Sequence, residues 1–418
     1  MKYEDYHISQ KIKDSLKELD FRRPTDIQYK AITPILMGND VLAIAQTGTG
    51  KTAAFVIPSL ELISRQKAKN RNGEQFIHTI VMEPTRELVI QTAGVFRSVG
   101  KYMDLTVLGL FGGVEQDPQI ARLKHGVDVL VCTPGRLFDL VSQGHVNLKN
   151  IKLLILDEAD HMLDLGFIND IRMLIKFLPK YRQTLFFSAT IDEEIKNLAY
   201  SLVSKPVRIE ISPKDPVSKH VDHYVSYVEM DDKRFFLERL IRENPEDKML
   251  VFVRTKVRAE RLKKAMERVG ISCETIHGDK TQQERNTVMD DFRKGTVKVL
   301  IATDVSARGI DIPNIEIVVN YDLPEQAENY VHRVGRTGRG DKFGKSISFC
   351  SIGEKNLLKE IESFITKPIT ELVVDKQTYK ETIKMTADPT QEKLTSLIDE
   401  IEKIDEFARK KAKSKKRK

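Results

Sequence analysis

The sequence predicts an α/β protein with two tandem domains, each built on a parallel β-sheet flanked by helices. Short runs of β-branched and aliphatic residues recur along the chain, and each run ends in polar or turn-forming residues. Segments with helical spacing lie between the runs, and the runs are apolar on both faces, as is typical of parallel strands covered by helices. A break rich in Pro, Ser and Lys, ISPKDPVSK at 211–219, divides the runs into two groups.

The runs are the predicted strands, and their positions set the expected domain limits. They lie at 40–45, 78–84, 105–113, 127–134, 152–159 and 183–190, and at 248–255, 272–279, 298–305, 316–324 and 345–352. We expect a first domain at 1–210 and a second at 220–368, with the break as the linker. Residues 369–418 form a C-terminal extension, in which 370–406 has partly helical spacing and 407–418 is a basic tail.

Composition argues against membrane and secreted classes. The chain has 418 residues, of which 40% are hydrophobic and 31% charged, as in a globular protein with an ample core. No run approaches the ~18 apolar residues of a membrane span, and the polar N-terminus lacks the apolar core of a secretory signal. Cys132, Cys273 and Cys350 lie far apart in apolar segments, without metal-ligand or redox spacing. We therefore expect buried thiols in a reducing cytoplasm.

The net charge of +7 belongs to the end of the chain. The last ten residues, RKKAKSKKRK, carry eight Lys or Arg, and without them 60 basic residues face 61 acidic ones. Such a run is too polar and self-repelling to pack, so we expect it to be disordered. It is typical of segments that bind the phosphates of nucleic acids, with a purely solubilising end as the alternative.

A phosphate-binding loop is predicted at AQTGTGKT. The segment follows the apolar run DVLAIA and precedes a helical pattern, which is the context that a phosphate loop requires. Small residues let backbone N–H groups point at phosphate oxygens in front of a helix N-terminus. Lys51 is expected to reach the β- and γ-phosphates, and Thr52 to hold Mg²⁺. The loop residues are Ala45, Gln46, Thr47, Gly48, Thr49, Gly50, Lys51 and Thr52.

Carboxylates directly follow another predicted strand in LLILDEADHMLD. In open parallel sheets, ligands bind at the carboxyl ends of the strands, so these acids should lie at a cleft. Asp157 is expected to bind Mg²⁺, usually through water, and Glu158 to orient or deprotonate the attacking water. An acidic first turn that stabilises the next helix is the alternative, and it suits Asp164 better than Asp157 or Glu158.

Four segments together resemble the DEAD-box ATP-dependent RNA helicases, and most closely the bacterial RhlE-like branch. They are DEAD at 157–160, AQTGTGKT, SAT at 188–190 and HRVGRTGR, and the resemblance covers residues 3 to about 368. It implies two RecA-like domains that close on ATP, Mg²⁺ and RNA, unwind short duplexes and remodel RNA or RNA–protein complexes. The implied RNA contacts read little sequence, and ribosomal precursors and the RNA-decay machinery are consistent partners.

The resemblance also implies a role for individual residues in the nucleotide site. The segment FRRPTDIQ matches the adenine-reading Q motif, within 1–29, so Phe21 would stack on the base and Gln28 would bind its edge. Tyr3 matches the upstream aromatic residue of the family. In the second domain Asp311 would lie near the ribose. Arg336 and Arg339 would act as arginine fingers on the γ-phosphate.

Further segments match the family's RNA-contacting and coupling motifs. The RNA-contacting set is Pro84, Thr85, Arg86, Gly112, Gly113, Thr133, Gly135, Arg136, Arg254, Gln282, Arg285 and Thr303. The set that would couple the two domains is Asp160, Ser188, Thr190, Asp304, His332 and Arg333, in which the SAT hydroxyls would bond to Asp160. His161 departs from the family, which often has Arg there. His220 and His223 form a loose HxxH that we interpret as non-metal.

Three rival functions stay open at this point. The first is a non-enzymatic RNA clamp, against which Lys51, Glu158, Arg336 and Arg339 argue. The second is a DNA translocase of the same architecture, although the Q motif and SAT favour RNA by resemblance. The third is a scaffold protein whose tail docks on large RNA assemblies, which is compatible with activity.

Overall fold

A computed structural model of the protein divides into two compact units, with the main division at 219/220. It describes residues 2–46, 48–69, 76–191, 193–211, 220–307, 315–338 and 342–385. Each unit contains one seven-stranded sheet in which all strands run parallel. The predicted fold class is therefore confirmed. No long apolar helix of the kind that crosses a bilayer occurs in the part of the chain that the structure describes.

The first domain has the strand order β3-β4-β2-β5-β6-β1-β7. Its strands are β1 (Val41–Ala45), β2 (Thr79–Met82), β3 (Val107–Leu110), β4 (Val129–Cys132), β5 (Leu153–Leu156), β6 (Gln183–Ser188) and β7 (Val207–Ile211). A 3-10 turn spans Tyr3–Asp5, and the helices are α1 (Gln10–Glu18), α2 (Asp26–Leu36), α3 (Lys51–Lys69), α4 (Arg86–Val99), α5 (Asp117–Lys124), α6 (Pro134–Ser142), α7 (Ala159–Asp164), α8 (Ile168–Ile175) and α9 (Glu193–Leu202).

Apolar residues on both faces of the first sheet explain its burial. Along β1, Val41, Ala43 and Ala45 pack into one apolar cluster, with helices α1 to α4. Leu42 points to the opposite face and joins a second cluster with residues of α6 to α9. Because neighbouring strand residues face opposite sides, a fully apolar strand needs helices on both faces.

The second domain has the order β10-β11-β9-β12-β13-β8-β14. Its strands are β8 (Val221–Tyr227), β9 (Met249–Phe252), β10 (Glu274–Ile276), β11 (Val299–Ala302), β12 (Ile317–Asn320), β13 (Gly344–Cys350) and β14 (Thr370–Glu371). Its helices are α10 (Lys233–Glu243), α11 (Lys256–Arg268), α12 (Gln282–Lys294), α13 (Asp304–Ala307), α14 (Ala327–Val334), α15 (Lys355–Ile365) and α16 (Lys376–Met385), with a 3-10 turn at Ile352–Glu354.

The two sheets have the same topology. When β8 to β14 are numbered afresh from one, the second order becomes identical to the first. Apolar runs recur in both halves of the sequence, and the structure shows that they build the same fold twice. In this correspondence β14 occupies the place of β7, at the edge of its sheet.

The second unit continues past the expected limit at residue 368. Strand β14 pairs with β8 in register Thr370↔Tyr224, and α16 packs against α10. The Tyr379 ring lies 4.9 Å from that of Phe236, and its hydroxyl donates to Asp232 Oδ2 at 2.8 Å. Within the partly helical stretch expected at 370–406, the structure describes residues up to Met385, and the basic tail lies outside the described residues.

Strands β7, β8 and β14 were not predicted from the sequence. In β8 exposed and buried residues are mixed, which hides a strand from a search for continuous apolar runs. His223, from the HxxH interpreted above as non-metal, lies in β8, and its Nδ1 is 2.9 Å from the Tyr330 hydroxyl. The described residues contain no cluster of His, Cys, Asp and Glu suited to a metal ion. All three cysteines are buried free thiols, as expected.

Candidate active site

The phosphate loop joins the carboxyl end of β1 to the first turn of α3, as the sequence predicts. Gly48 and Gly50 have φ angles of +82° and +95°, a region that favours glycine because a Cβ is strained there. The Thr49 hydroxyl donates to the Gln46 carbonyl at 2.8 Å and narrows the turn. Thr47 lies outside the described residues. The loop therefore lies in front of the N-terminus of a 19-residue helix, where backbone N–H groups favour an anion.

Lys51 is a buried cation beside carboxylates. Its side chain is 5% exposed, and Nζ lies 3.7 Å from Glu158 Oε1. Burial opposes the charge, but the attraction of Glu158 and Asp157 outweighs it, so the pKa of Lys51 is raised. A unit pair at about 4 Å is worth roughly 4 kcal/mol at an effective dielectric near 20, enough to keep the lysine charged. Within the described ranges no hydrogen-bond acceptor reaches Nζ, so its donors remain available for phosphate oxygens.

Asp157 and Glu158 leave the end of β5 on a strained turn. Glu158 has φ +48° and ψ +50°, a left-handed conformation that is uncommon for a non-glycine residue. Its N–H donates to Asp157 Oδ1 at 2.9 Å. Burial raises the pKa of Asp157 to about 6, and the nearby Lys51 charge limits the rise. The turn therefore directs two adjacent carboxylates to one small region next to Lys51.

Glu83 is a further carboxyl group beside Asp157 and Glu158, and the sequence analysis did not single it out. It follows β2, whose register with β5 places it beside Asp157. Glu83 is fully buried, and the Thr92 hydroxyl donates to its Oε1 at 2.7 Å. Burial, followed by the charge of Asp157, holds the pKa of Glu83 well above its usual range. The available signal was a carboxylate at the end of the apolar run HTIVMEP.

The Q-motif residues lie together beside the phosphate loop. Gln28 is buried, and its Oε1 accepts hydrogen bonds from the Tyr3 hydroxyl at 2.5 Å and from Thr25 N at 2.9 Å. Its Nε2 donates to the Gly50 carbonyl at 3.1 Å. The Phe21 ring centroid lies 6.1 Å from that of Tyr3. The structure thus gives Gln28 a role that the sequence did not indicate, since it links the start of α2 to the phosphate loop.

Asp160 joins the DEAD segment to SAT through one of the two predicted hydroxyls. Asp160 Oδ2 accepts from Ala189 N and Thr190 N, both at 3.1 Å, and from the Thr190 hydroxyl at 3.3 Å. The Ser188 hydroxyl is buried and has no hydrogen-bond partner among the described residues, so the bond expected from it to Asp160 is not formed. Ser188 is the last residue of β6. His161 is buried on α7.

The RNA-contacting segments predicted in the first domain follow three neighbouring strands. Pro84, Thr85 and Arg86 follow β2; Gly112 and Gly113 follow β3; Thr133, Gly135 and Arg136 follow β4. Parallel strands end at one edge, so these segments become neighbours. A Cβ on Gly112 or Gly113 would meet no atom within 4 Å, which leaves the backbone accessible. The Arg86 guanidinium lies 4.4 Å from the Phe111 ring centroid, and Arg136 Nη2 donates to the Val114 carbonyl at 2.9 Å.

In the second domain, an ion pair fixes the helix that directly precedes the predicted fingers. Arg333 on α14 is 2% exposed, and its Nε and Nη2 lie 2.6 Å and 2.8 Å from the two carboxylate oxygens of Asp304. Its Nη1 donates to the Asp322 carbonyl at 2.7 Å. Arg336 is largely buried, and its Nε donates to the His332 carbonyl at 3.2 Å. The structure brings Asp304 and Arg333 together, whereas Asp311 and Arg339 lie outside the described residues.

The remaining predicted RNA contacts lie at the carboxyl ends of strands in the second sheet. Arg254 follows β9, and Thr303 follows β11. Gln282 and Arg285 lie in the first turn of α12, and the Gln282 side chain is not described. Arg254 N donates to Asp322 Oδ2 at 3.0 Å, which fixes the turn that carries the guanidinium.

Comparison with known proteins agrees with this geometry. A family described as DEAD/DEAH box helicase matches residues 25–198, and one described as helicase conserved C-terminal domain matches 232–341. ATP-dependent RNA helicase DbpA of Bacillus subtilis (strain 168) is 38% identical over 364 residues, which cover 87% of this chain and 74% of the relative. DEAD-box ATP-dependent RNA helicase CshA of the same organism is 36% identical over 400 residues, covering 95% and 79%.

A solved structure shows the same fold. S. cerevisiae Dbp5 bound to RNA and ADP BeF3 superposes with a TM-score of 0.80 at 30% identity, covering 92% of this chain and 100% of that one. With the relatives above, this likeness identifies both domains as RecA-like. The chain belongs to the DEAD-box family of ATP-dependent RNA helicases. It binds ATP and RNA and is an ATP-dependent RNA helicase.

Gly50 offers a test of the contact between the phosphate loop and the Q motif. A Cβ at Gly50 would lie 2.6 Å from Gln28 Nε2 and 2.9 Å from Thr25 Oγ1, whereas at Gly48 it would meet nothing within 4 Å. Both Gly50→Ala and Gly48→Ala carry the cost of a left-handed backbone, about 1–2 kcal/mol. Only Gly50→Ala adds a clash, so we expect it to weaken binding of a fluorescent ATP analogue more than Gly48→Ala does. Equal losses would contradict the structural role of Gln28.

Proposed function

We propose that the protein opens short RNA duplexes and remodels RNA or RNA–protein complexes by closing its two domains around ATP and RNA. The observation that carries the proposal is Lys51, a buried cation with free donors beside the carboxyl groups of Glu83, Asp157 and Glu158. A phosphate-bearing ligand fits this arrangement, because it would accept from the ammonium group and from the helix N-terminus together. The relative Dbp5, solved with RNA and ADP BeF3, supports the same pairing of ligands.

Mg²⁺ is the cation that the donor set fits. Thr52 and Asp157 supply a hydroxyl and a carboxylate, the oxygen ligands that Mg²⁺ prefers. When bound, Mg²⁺ would neutralise charge on the phosphates. Asp157, with its pKa raised to about 6, is largely ionised at neutral pH and is therefore suited to a cation. Glu158, held by its strained backbone beside Lys51, would orient and deprotonate the attacking water.

The second domain would complete the site through cations. We assign Arg336 and Arg339 to the γ-phosphate and Asp311 to the ribose, with the Asp304–Arg333 pair holding α14 in position. Closure would also align the RNA-contacting edges of both sheets, and a strand bent to fit them could not stay base-paired. Loss of the γ-phosphate after hydrolysis would remove one link between the domains and release the RNA. In this scheme Asp160, Thr190 and His332 would couple the binding of ATP to the binding of RNA.

The domain limits and the cellular role are proposals of the same kind. We propose 1–210 as the first helicase domain, 211–219 as the linker and 220–368 as the core of the second, with β14 and α16 as its continuation. Motif resemblance supports a place in the RhlE-like branch, while the relatives compared above carry other names within the family. Buried free thiols support a cytoplasmic location. Ribosomal precursors and the RNA-decay machinery are the partners that we propose.

Glu158→Gln tests the proposed chemistry. The amide keeps the shape of the side chain but cannot accept a proton, so we expect RNA-stimulated phosphate release to fall by a factor of about 10²–10⁴ or more. ATP and RNA binding should persist. Asp164→Asn is the matched control, because it removes a carboxylate from the exposed end of α7 and should leave turnover unchanged. Normal hydrolysis by the Glu158→Gln variant would refute the assignment of the base.

The basic tail gives a second prediction. Removing 407–418 should weaken RNA binding and flatten its dependence on salt concentration, because fewer counterions are released, while basal ATPase activity stays the same. A full-length variant with the eight terminal Lys and Arg replaced by Gln should behave like the truncation. Binding measured by anisotropy at several salt concentrations checks both. An RNA affinity equal to that of the wild type would contradict a role of the tail in RNA binding.

A further inference from the structure

A buried ion pair in the second domain serves none of the roles described above. Lys233, the first residue of α10, is completely buried, and its Nζ donates to Glu354 Oε2 at 2.5 Å. The same ammonium group donates to the Tyr321 carbonyl at 2.8 Å and lies 3.9 Å from Asp322 Oδ1. These contacts lie at the carboxyl end of β12, which is the edge that carries the predicted RNA contacts.

Glu354 extends this pair to a residue on the RNA-contacting edge. It is 3% exposed, and Ser351 donates to its Oε2 from both the backbone N–H at 3.0 Å and the hydroxyl at 2.8 Å. Its other oxygen, Oε1, lies 3.5 Å from Arg254 Nη2. Lys233 and Ser351 thus hold one oxygen of the carboxylate. The other oxygen accepts from Leu323 N at 3.3 Å and faces Arg254.

Asp322 links Arg254 to Arg333 on α14. One carboxylate oxygen, Oδ2, accepts from Arg254 N at 3.0 Å and lies 2.8 Å from Arg258 Nε. The backbone carbonyl of Asp322 accepts from Arg333 Nη1 at 2.7 Å. Arg254 is therefore held at both its backbone and its guanidinium, and the residue that holds its backbone also holds Arg333.

Stability alone does not account for such a pair. Charges taken out of water incur a large desolvation cost, and apolar residues of similar volume often stabilise a fold equally well or better. Burial lowers the pKa of Lys233, because removing the charged ammonium group from water costs free energy. The pair lies where orientation matters, because a guanidinium binds phosphate through directed, charge-assisted hydrogen bonds.

We propose that Lys233 and Glu354 are positioning residues that orient Arg254 toward the RNA backbone and connect it, through Asp322, to Arg333. The proposal rests on the RNA contact proposed above for Arg254. A second acid, Glu325, also approaches this guanidinium, with Oε1 3.6 Å from Arg254 Nε, but its side chain is 72% exposed. Water screens that contact, whereas Glu354 is buried and held by Lys233, so the orienting role falls to Glu354.

The test removes both buried charges at once. Lys233→Met combined with Glu354→Gln leaves no unpaired charge at the centre of the network, which preserves the fold better than either single change. We expect the RNA concentration that half-saturates ATPase activity to rise about three- to tenfold, the range for weakening one charge-assisted contact. ATPase activity without RNA and the KM for ATP should not change. Glu354→Asp, which keeps the charge but withdraws it from Arg254, should give a smaller shift in the same direction and serves if the double variant does not fold.

Arg254→Ala makes the outcomes distinguishable. If Arg254→Ala weakens RNA binding and adds nothing to the loss in the double variant, the two act as one unit and the proposal holds. If the losses add, or if the double variant binds RNA normally, the positioning role is refuted while Arg254 keeps its RNA contact. If Arg254→Ala itself has no effect, the proposed contact falls, and the positioning role falls with it.

Glu325→Gln is the matched control, since it neutralises the exposed acid on the same guanidinium. We expect it not to weaken RNA binding. A loss equal to that of the Lys233 and Glu354 double variant would show that any nearby carboxylate has the same influence, and it would overturn the assignment to the buried pair.

Discussion

The site depends on one constraint, that all seven strands of each sheet run in the same direction. In a parallel sheet, every turn from a strand to the next helix lies at the same edge. Segments that are far apart in sequence therefore become neighbours, even where they do not contact one another directly. The phosphate loop after β1, the acids after β5 and the proposed RNA-contacting turns after β2, β3 and β4 all come close together in this way. The second domain repeats the same strand order and applies it to a different set of turns.

Electrostatics decides what that edge can bind in the first domain. Glu83, Asp157 and Glu158 crowd one buried lysine, and burial together with mutual repulsion pushes the pKa of Glu83 and Asp157 upward. A cation and a polyanion entering together would relieve both strains, because the cation separates the carboxylates and the phosphates take up the donors of Lys51. The left-handed backbone of Glu158 is a further cost that the surrounding sheet maintains. The site is therefore suited to a ligand that combines a metal cation with negatively charged phosphates.

Most of the strands, and the place of the phosphate loop, could be predicted from the sequence for physical reasons. Central parallel strands such as β5 are continuous apolar runs, and a phosphate loop needs particular small residues, so both leave strong patterns. Strands β8 and β14 left none, because β8 mixes exposed and buried residues and β14 has two residues. The Lys233–Glu354 pair joins positions 121 residues apart, and each looks like an ordinary surface charge in its own helical segment. Two residues so far apart in sequence are brought together by tertiary packing, and local sequence patterns carry no information about such contacts.

The central proposal is that ATP and RNA bind cooperatively because the cations of the second domain would complete a site begun in the first. Its most direct test is the affinity for a fluorescent single-stranded RNA, measured with ADP–beryllium fluoride and without nucleotide, in the wild type and in Arg336→Ala. The account predicts RNA binding at least about tenfold tighter with the analogue, within the usual range of coupling between sites, and loss of that gain in the variant. Equal RNA affinity with and without the analogue in the wild type would contradict it.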